Sequence, residues 1–434
     1  MINFLKKQPP VRLIAGGFIL VILLGSVLLM LPISLNDGVK LSYTDSLYTS
    51  VSSVCVTGLS TVDAGTTFSV FGRCVLAVLI QIGGFGVATV SAGFIMLMGK
   101  KMNLKSRNLV HEAMNLDSGK GVKRFLTEVF ITTAIIEAIG AILSFIVFIQ
   151  DFEWHTALGY SLFHAVSAFN NAGFDILGLG NSLVSYQNNI LLNFVTSGLI
   201  IFGGIGFLVI KEMCTKRLNF KKYSLHAKVV LLMTGVLLVV GTLLIKFTEG
   251  NQISWLGAFF ASVTARTAGF ATYSFSGFTQ AGLMVMMMLM FIGASSGSTG
   301  GGIKTSTIFV IIKSTIASVR KRDAKAFKYS ISKELSRKAY VIAFIGVFVI
   351  AISTFLICLF DPMLGLVDVL FEMVSAFATV GVSTGISAGL SIGSKIVTML
   401  VMFIGRLGPL TMASLWVSNK SSLVRYPEGD IAIG

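Results

Sequence analysis

Thr379-Val380-Gly381-Val382 stands between a short amphipathic segment and a long apolar one. Three other stretches hold the same place: Val56-Thr57-Gly58-Leu59, Asn171-Ala172-Gly173-Phe174 and Thr267-Ala268-Gly269-Phe270. Their glycines lie 115, 96 and 112 residues apart. Glycine lets the backbone turn its carbonyl oxygens toward one side, and four such turns around one axis replace the water shell of a dehydrated cation. The candidate cation-binding residues are therefore Val56, Thr57, Gly58, Asn171, Ala172, Gly173, Thr267, Ala268, Gly269, Thr379, Val380 and Gly381.

Working outward, the surroundings of these turns are those of a membrane protein. Of 434 residues, 54% are hydrophobic and 12% charged, where a soluble domain carries roughly a quarter charged residues. Apolar stretches long enough for a bilayer core of about 30 Å recur along the chain. The first, Val11–Leu31, is apolar apart from Arg12, has no small-residue cleavage site after it and stops at Pro32, which reads as a retained span and not a signal peptide. The four cysteines, Cys55, Cys74, Cys214 and Cys358, are scattered without a CxxC pair, which argues against a disulfide framework or a metal site.

Around each glycine turn the sequence predicts one unit: span, short re-entrant helix, turn, span. The first spans lie near Val11–Leu31, Phe125–Ile149, Ala227–Phe247 and Ala339–Phe360. The short helices lie near Tyr43–Val54, Thr156–Phe169, Ser254–Thr264 and Gly365–Phe377, too short to cross a bilayer. The second spans lie near Val70–Met98, Ile190–Ile210, Ala281–Val319 and Lys395–Val417. Each second span carries a glycine at similar distance from its turn: Gly83, Gly203, Gly293 and Gly405 follow the turn glycines by 25, 30, 24 and 24 residues. Packing glycines are common in membrane helices, but that does not explain a fourfold phase. The expected fold is an all-α membrane protein with eight transmembrane helices and four helix/pore-loop/helix repeats around one pseudo-fourfold pore. The repeats occupy residues 1–100, 101–225, 226–330 and 331–434, the last with a C-terminal tail. Irregular backbone at membrane depth is tolerated only inside protein or a wet cavity, so the turns should face a shared axis.

The net charge of +15 elsewhere suggests a nucleic-acid partner. Here it falls in the loops joining consecutive units, so the positive-inside rule accounts for it and no nucleic acid is expected. Segment Gly99–Arg124 carries Lys100, Lys101, Lys105, Arg107, Lys120, Lys123 and Arg124 against Glu112 and Asp117. Segment Lys211–Lys228 carries six basic residues against Glu212, and Lys313–Lys338 nine against Asp323 and Glu334. These three are expected to share the cytoplasmic side of the bilayer. They suit anionic lipid or an acidic regulatory partner as well as topology alone. The opposite loops carry Asp37, Asp45, Asp63, Asp151, Glu153, Glu249, Asp361 and Asp368, an acidic outer vestibule that raises the local cation concentration.

The third unit's second span is interrupted by Gly293-Ala294-Ser295-Ser296-Gly297-Ser298-Thr299-Gly300-Gly301-Gly302, followed by Ile303-Lys304-Thr305-Ser306-Thr307. Five glycines in ten residues make a poor helix, at roughly 1 kcal/mol each relative to alanine. Unwound backbone cannot face lipid, so 293–307 reads as an intramembrane loop beneath the turns that blocks ions and moves aside. A packing kink is the competing reading. A phosphate loop is not, because Ile303 separates Gly302 from Lys304 and a membrane helix precedes. Arg406 lies within an otherwise apolar span, where its charge costs at least about 2.5 kcal/mol and needs a cavity or partner. It reads either as a structural ion pair or carbonyl cap, or as a fixed positive charge at the pore that holds loop oxygens and opposes cations.

Taken together, Val56-Thr57-Gly58-Leu59-Ser60, Ser167 to Phe174 (SAFNNAGF), Thr264 to Phe270 (TARTAGF), Phe377 to Gly381 (FATVG) and Met402 to Thr411 (MFIGRLGPLT) resemble the ion-conducting subunits of bacterial Ktr potassium uptake systems (KtrB/KtrD), in the KtrB/TrkH/HKT superfamily. The resemblance runs from Val11 to the C-terminus. It implies potassium uptake through one four-loop carbonyl filter per subunit, with the twelve residues above as filter. It implies an intramembrane gate at Gly293, Ser295, Ser296, Gly297, Ser298, Thr299, Gly300, Gly301, Gly302, Lys304 and Arg406. It also implies a homodimer, a cytoplasmic RCK-type nucleotide-binding ring (KtrA/KtrC-like) that alone carries nucleotide, sodium as a second, activating ion in symport, and no covalent cofactor. A glycine in every loop is the potassium-preferring pattern, and Gly58 is not the serine of sodium-leaning members. Only Thr379-Val380-Gly381 keeps TVG, and no second glycine stands as in TVGYG, so fewer carbonyl layers and weaker selectivity than in a potassium channel are expected.

Catalysis is not expected. His111, His155, His164 and His226 form no metal-ligand spacing, and Glu137 is the only acid at mid-span, best suited to a buried polar cluster. A sodium-coupled secondary carrier with broken helices is the competing class, though such carriers usually show two related halves, not four units.

Overall fold

The structure, a computed structural model, describes residues 10–98, 110, 121–178, 180, 182–217 and 219–414. Most of the first basic segment, His111 and the C-terminal tail beyond 414 lie outside the described residues.

The same order of long helix, short helix, turn and broken helix occurs four times. The long helices are α1 (Pro10–Met30), α5 (Val122–Phe148), α9 (Leu225–Glu249) and α13 (Lys333–Phe360). The short ones are α2 (Tyr43–Cys55), α6 (Trp154–Phe169), α10 (Trp255–Thr264) and α14 (Leu366–Ala378). Each packs against the long helix before it. Ser42 caps α2 by accepting from Asp45 N at 3.1 Å, and Ser254 caps α10 by accepting from Gly257 N at 3.0 Å, satisfying donors that a helix start leaves free.

Small residues and hydroxyls set these contacts. The Ser46 and Ser50 hydroxyls donate to the α1 carbonyls of Ser26 (2.6 Å) and Ile22 (2.7 Å), and Ser262 donates to Leu237 of α9 at 3.2 Å. Buried hydroxyls bonded across helices need no water. The opposite faces of the long helices stay exposed and apolar, with Ile131, Ile135, Ile139 and Ile142 on α5 and Phe344, Phe348 and Phe355 on α13. Faces this large and apolar suit lipid.

The second spans differ from the sequence reading. Continuous helices were expected over 70–98, 190–210 and 395–417, but each breaks at a glycine of positive φ. Helices α3 (Val70–Phe85) and α4 (Val87–Leu97) meet at Gly86 with a 102° bend, and α7 (Ile190–Ile205) and α8 (Phe207–Lys216) at Gly206 with a 101° bend. Helices α15 (Ile392–Leu407) and α16 (Pro409–Ser414) are separated by Gly408. In the third unit α11 (Gln280–Phe291) and α12 (Thr305–Val319) flank an open loop, as expected. Among the described residues four helices are therefore long and apolar enough to cross a bilayer unbroken, or six if each bent pair is one span. A short hairpin, β1 (Lys325–Ala326) with β2 (Tyr329–Ser330), joins α12 to α13.

Candidate cation site

The four glycine turns close a ring. A Cβ on Gly58 would strike the Ala172 carbonyl and Gly173; one on Gly173 would meet Gly269 Cα at 2.7 Å; one on Gly269 would meet the Val380 carbonyl and Gly173; one on Gly381 would strike the Thr57 carbonyl and meet Gly58 Cα at 2.9 Å. Each turn thus leans on the next, and the last on the first. Any side chain at these positions would collide with a neighbour's backbone, and all four glycines have positive φ, between 69° and 94°.

The residue two before each glycine, Val56, Asn171, Thr267 or Thr379, also has positive φ (56°, 58°, 70° and 51°), while Thr57, Ala172, Ala268 and Val380 between them do not. This alternation turns successive carbonyls to the same side of the strand. A non-glycine residue held left-handed costs of order 1–3 kcal/mol, and all eight non-glycine turn residues are fully buried. The surroundings over-determine the turns.

Buried hydroxyls supply much of that hold. In the first and fourth units Gly58 N donates to Ser52 Oγ and Gly381 N to Ser375 Oγ, each at 3.0 Å. In the second and third units the hydroxyl instead donates one residue past the glycine, Ser167 to Phe174 O (2.7 Å) and Thr264 to Phe270 O (2.6 Å). The Asn171 amide and the Thr267 hydroxyl are hydrogen bonded at 3.2 Å, tying the second turn to the third. The first and fourth turns are thus held through the glycine N–H, the second and third through the carbonyl that follows the glycine.

Beyond the ring on one side lies a cavity of about 290 Å³ lined by Gly58, Gly173, Gly381, Ser383, Ser387, Asp63 and Asp175, among others. Of the acids expected in a vestibule, only Asp63 lines it. Asp45 pairs with Lys395 at 2.8 Å, Asp151 accepts from Tyr186 at 2.8 Å, Asp361 accepts from Ser391 N at 3.1 Å, and buried Glu249 accepts from Thr279. Asp175, which the sequence reading passed over, takes their place. Its partial burial, and then the negative charge of Asp63, push its carboxyl up to about 6.

On the other side of the ring lies the loop between α11 and α12. Ser295 N donates to Gly204 O at 3.0 Å, Thr299 N to Gly203 O at 3.3 Å and Thr299 Oγ1 to Phe169 O at 3.2 Å, all in the second unit. Gly301 N donates to Thr379 Oγ1 at 3.0 Å and Gly302 N to Gly405 O at 3.3 Å, in the fourth. Gly297 O accepts from Phe207 N at 3.0 Å. Within the loop Gly293 N donates to Ile303 O at 2.8 Å, Ser298 Oγ to Ser295 O at 2.6 Å, and Ser296 Oγ pairs with Ser306 Oγ at 3.3 Å. Gly300 abuts the Thr267 side chain of the ring.

Two cations bind this loop without a carboxylate. Lys304 donates to the carbonyls of Gly300 (2.8 Å) and Gly301 (3.4 Å). Arg406 donates to Thr299 O through one nitrogen and to Gly83 O and Gly84 O (3.1 Å) through the other. It spans the floor from the fourth unit to the first and is bonded to carbonyls, an arrangement common to the carbonyl-cap and the fixed-charge readings. Gly83, Gly203 and Gly405 lie directly against the ends of the short helices, at the carbonyls of Val54, Phe169 and Phe377, whereas Gly293 lies against Gly301 and Gly302 of its own loop.

The structure thus brings all twelve turn residues into one ring, with the ten loop residues against it and Arg406 of α15 bonded to that loop. Missed in the sequence were Ser52, Ser167, Thr264 and Ser375, whose signal is a hydroxyl five or six residues before each glycine, and Asp175. Glu137 receives the Asn170 amide at 3.2 Å, which also donates to Gln81 at 2.8 Å, in a buried polar cluster. No group of three His, Cys, Asp or Glu suited to a metal occurs among the described residues.

The TrkH cation transport protein family model matches residues 14–423. The chain is 38% identical over 445 residues to the Ktr system potassium uptake protein B of Bacillus subtilis (strain 168), covering 100% of this chain and 98% of that one. It is 38% identical to the Ktr system potassium uptake protein B of Vibrio alginolyticus (98% and 94% covered) and 36% identical to the potassium/sodium uptake protein NtpJ of Enterococcus hirae (99% and 98%). In fold it is similar to the crystal structure of the potassium transporter TrkH from Vibrio parahaemolyticus, with a TM-score of 0.71 and 16% identity over 93% of this chain and 85% of that one.

Proposed function

The chain belongs to the TrkH family of cation transport proteins, membrane transporters and not enzymes, and from that premise we propose that it takes up potassium across the plasma membrane as the ion-translocating subunit of a Ktr-type system. The observation that carries the reading is the closed ring of four glycine turns, each packed backbone to backbone against the next. Carbonyl oxygens around one axis replace the hydration shell of potassium. Each unit, with the bounds 1–100, 101–225, 226–330 and 331–434, crosses the bilayer twice, and the second crossing is broken beneath the ring. That gives eight crossings around one path.

Residues 293–302, with Lys304 and Arg406, form the gate. The loop and its two cations lie across the path and close it by steric block and positive charge. The basic linkers face the cytoplasm, where they dock an RCK-type nucleotide-binding ring, and two subunits form a homodimer with two paths. Sodium acts as a second ion, a role favoured by the potassium/sodium uptake activity in the name of the Enterococcus hirae relative. A sodium-coupled carrier differs in that its rate would not depend on all four glycines.

The test is growth on low potassium in a bacterial strain lacking its own uptake systems, with and without a co-expressed regulatory subunit. Rescue that is lost on Gly269→Ser supports the reading. Rescue indifferent to all four ring glycines overturns it in favour of a carrier.

A further inference from the structure

The position nine residues before each ring glycine is Thr49, His164, Phe260 or Glu372. Thr49 donates back into its own helix, to Asp45 O at 2.8 Å, and His164 shares a hydrogen bond with Thr196 at 2.9 Å. Phe260 is buried core. Glu372 alone reaches the segment that follows its own turn. It is fully buried on α14, and its Oε1 accepts the Ser387 hydroxyl. Ser387 also lies 3.4 Å from Ser383 Oγ, which accepts Gly385 N at 2.9 Å. Its Oε2 and the buried Tyr48 hydroxyl of α2, which lies within its field, have no hydrogen-bond partner.

A buried carboxyl group with one donor is costly to bury, and that single bond restricts it and its partner to one geometry. Here the constraint falls on the outer half of the fourth turn. Helix α14 grips that strand twice: Ser375 holds Gly381 N from below, and one turn earlier Glu372 holds Ser387 from the side. Ser383 and Ser387 also line the cavity over the ring. We propose that Glu372 is a positioning residue for ion discrimination: through Ser387 it fixes the segment from Gly381 to Ser387, and so the distance at which the fourth turn presents its carbonyls. The inference rests on the transport reading above. A loosened turn closes around a smaller ion, so discrimination falls before transport does.

The experiment compares potassium and sodium uptake at matched membrane abundance for the full chain and for Glu372→Ala, Ser387→Ala, the double variant and Glu372→Gln. Each alanine variant should lower the potassium-to-sodium uptake ratio about fivefold, the worth of one ordinary hydrogen bond. The double variant should be no worse than either, and Glu372→Gln, which keeps an acceptor for Ser387, should retain most of the ratio. Ser387→Ala changes a small cavity-lining residue, so it decides the matter if Glu372→Ala does not accumulate. An unchanged ratio, or additive losses, overturns the inference alone. A wild-type chain that carries neither ion overturns the transport reading and this inference with it.

Discussion

The ring and the loop beneath it are built from similar residues in opposite ways. The ring uses the same turn four times, each held by a hydroxyl from its own short helix or the turn beside it. The loop occurs once, in the third unit, and is held largely by partners in the other units: Gly203 and Gly204, Thr379, Gly405 and Arg406. Repetition gives the ring quasi-equivalent oxygens, which coordination of a spherical ion requires. The departure from repetition concentrates movable structure in one place. Contacts made to other units rather than within the loop can be exchanged without unfolding it, whereas the ring's support is local and rigid.

The comparison breaks most visibly if the ring tolerates change. Gly269 has φ 86°, and an added Cβ would meet Gly173 Cα at 2.8 Å. Gly269→Ser should therefore cut potassium uptake by about tenfold or more, since strain of 1–3 kcal/mol falls on the coordinating backbone. Rubidium-tracer uptake in cells checks it. Below the ring the sign reverses. Arg406→Ala removes three hydrogen bonds and a positive charge from the floor, and uptake velocity should rise about fivefold, the effect of lowering the barrier by about 1 kcal/mol. Unchanged or lower velocity in a stably expressed protein would defeat the idea of a gate. Lys304→Met, which removes two carbonyl contacts of the same loop, should raise velocity less, about threefold on the same scale.

The smallest effect concerns the cavity above. Asp175 titrates at about 6, so its negative charge is present above that pH and lost as the outer pH falls below it. Uptake at limiting potassium should drop about twofold between outer pH 7.5 and 5 at low ionic strength, as attraction toward the ring weakens. Asp175→Asn should flatten the profile. Asp63→Asn, which removes the charge that raises Asp175, should move the midpoint to lower pH. A profile unaltered by either variant would detach these acids from uptake.

The four short helices and their turns were legible because their signal is local: a short apolar segment, in two units a capping serine, and a glycine that must take positive φ. The interruption after Phe291 was legible for the same reason, as five glycines in ten residues cannot hold a helix. The breaks at Gly86, Gly206 and Gly408 were not, because a glycine in a long apolar run reads equally as a packing contact. At Gly206 the loop packed against it, at Ser296 and Gly297, decides between the two. The acids were misjudged for a related reason. Asp45 looked like free surface charge, but its partner Lys395 lies at the other end of the chain. Asp175 was passed over, yet it lines the cavity.

The closed ring also has a bearing on how the molecule is made. Gly58 and Gly381 are neighbours in space, but one belongs to the first unit translated and the other to the last. Until the final quarter of the chain has been threaded into the bilayer, the earliest turn, though held by its own helix, lacks the neighbour that closes the ring. Biogenesis therefore has one late, all-or-nothing step, and chains stalled before it should be the ones that membrane quality-control proteases remove.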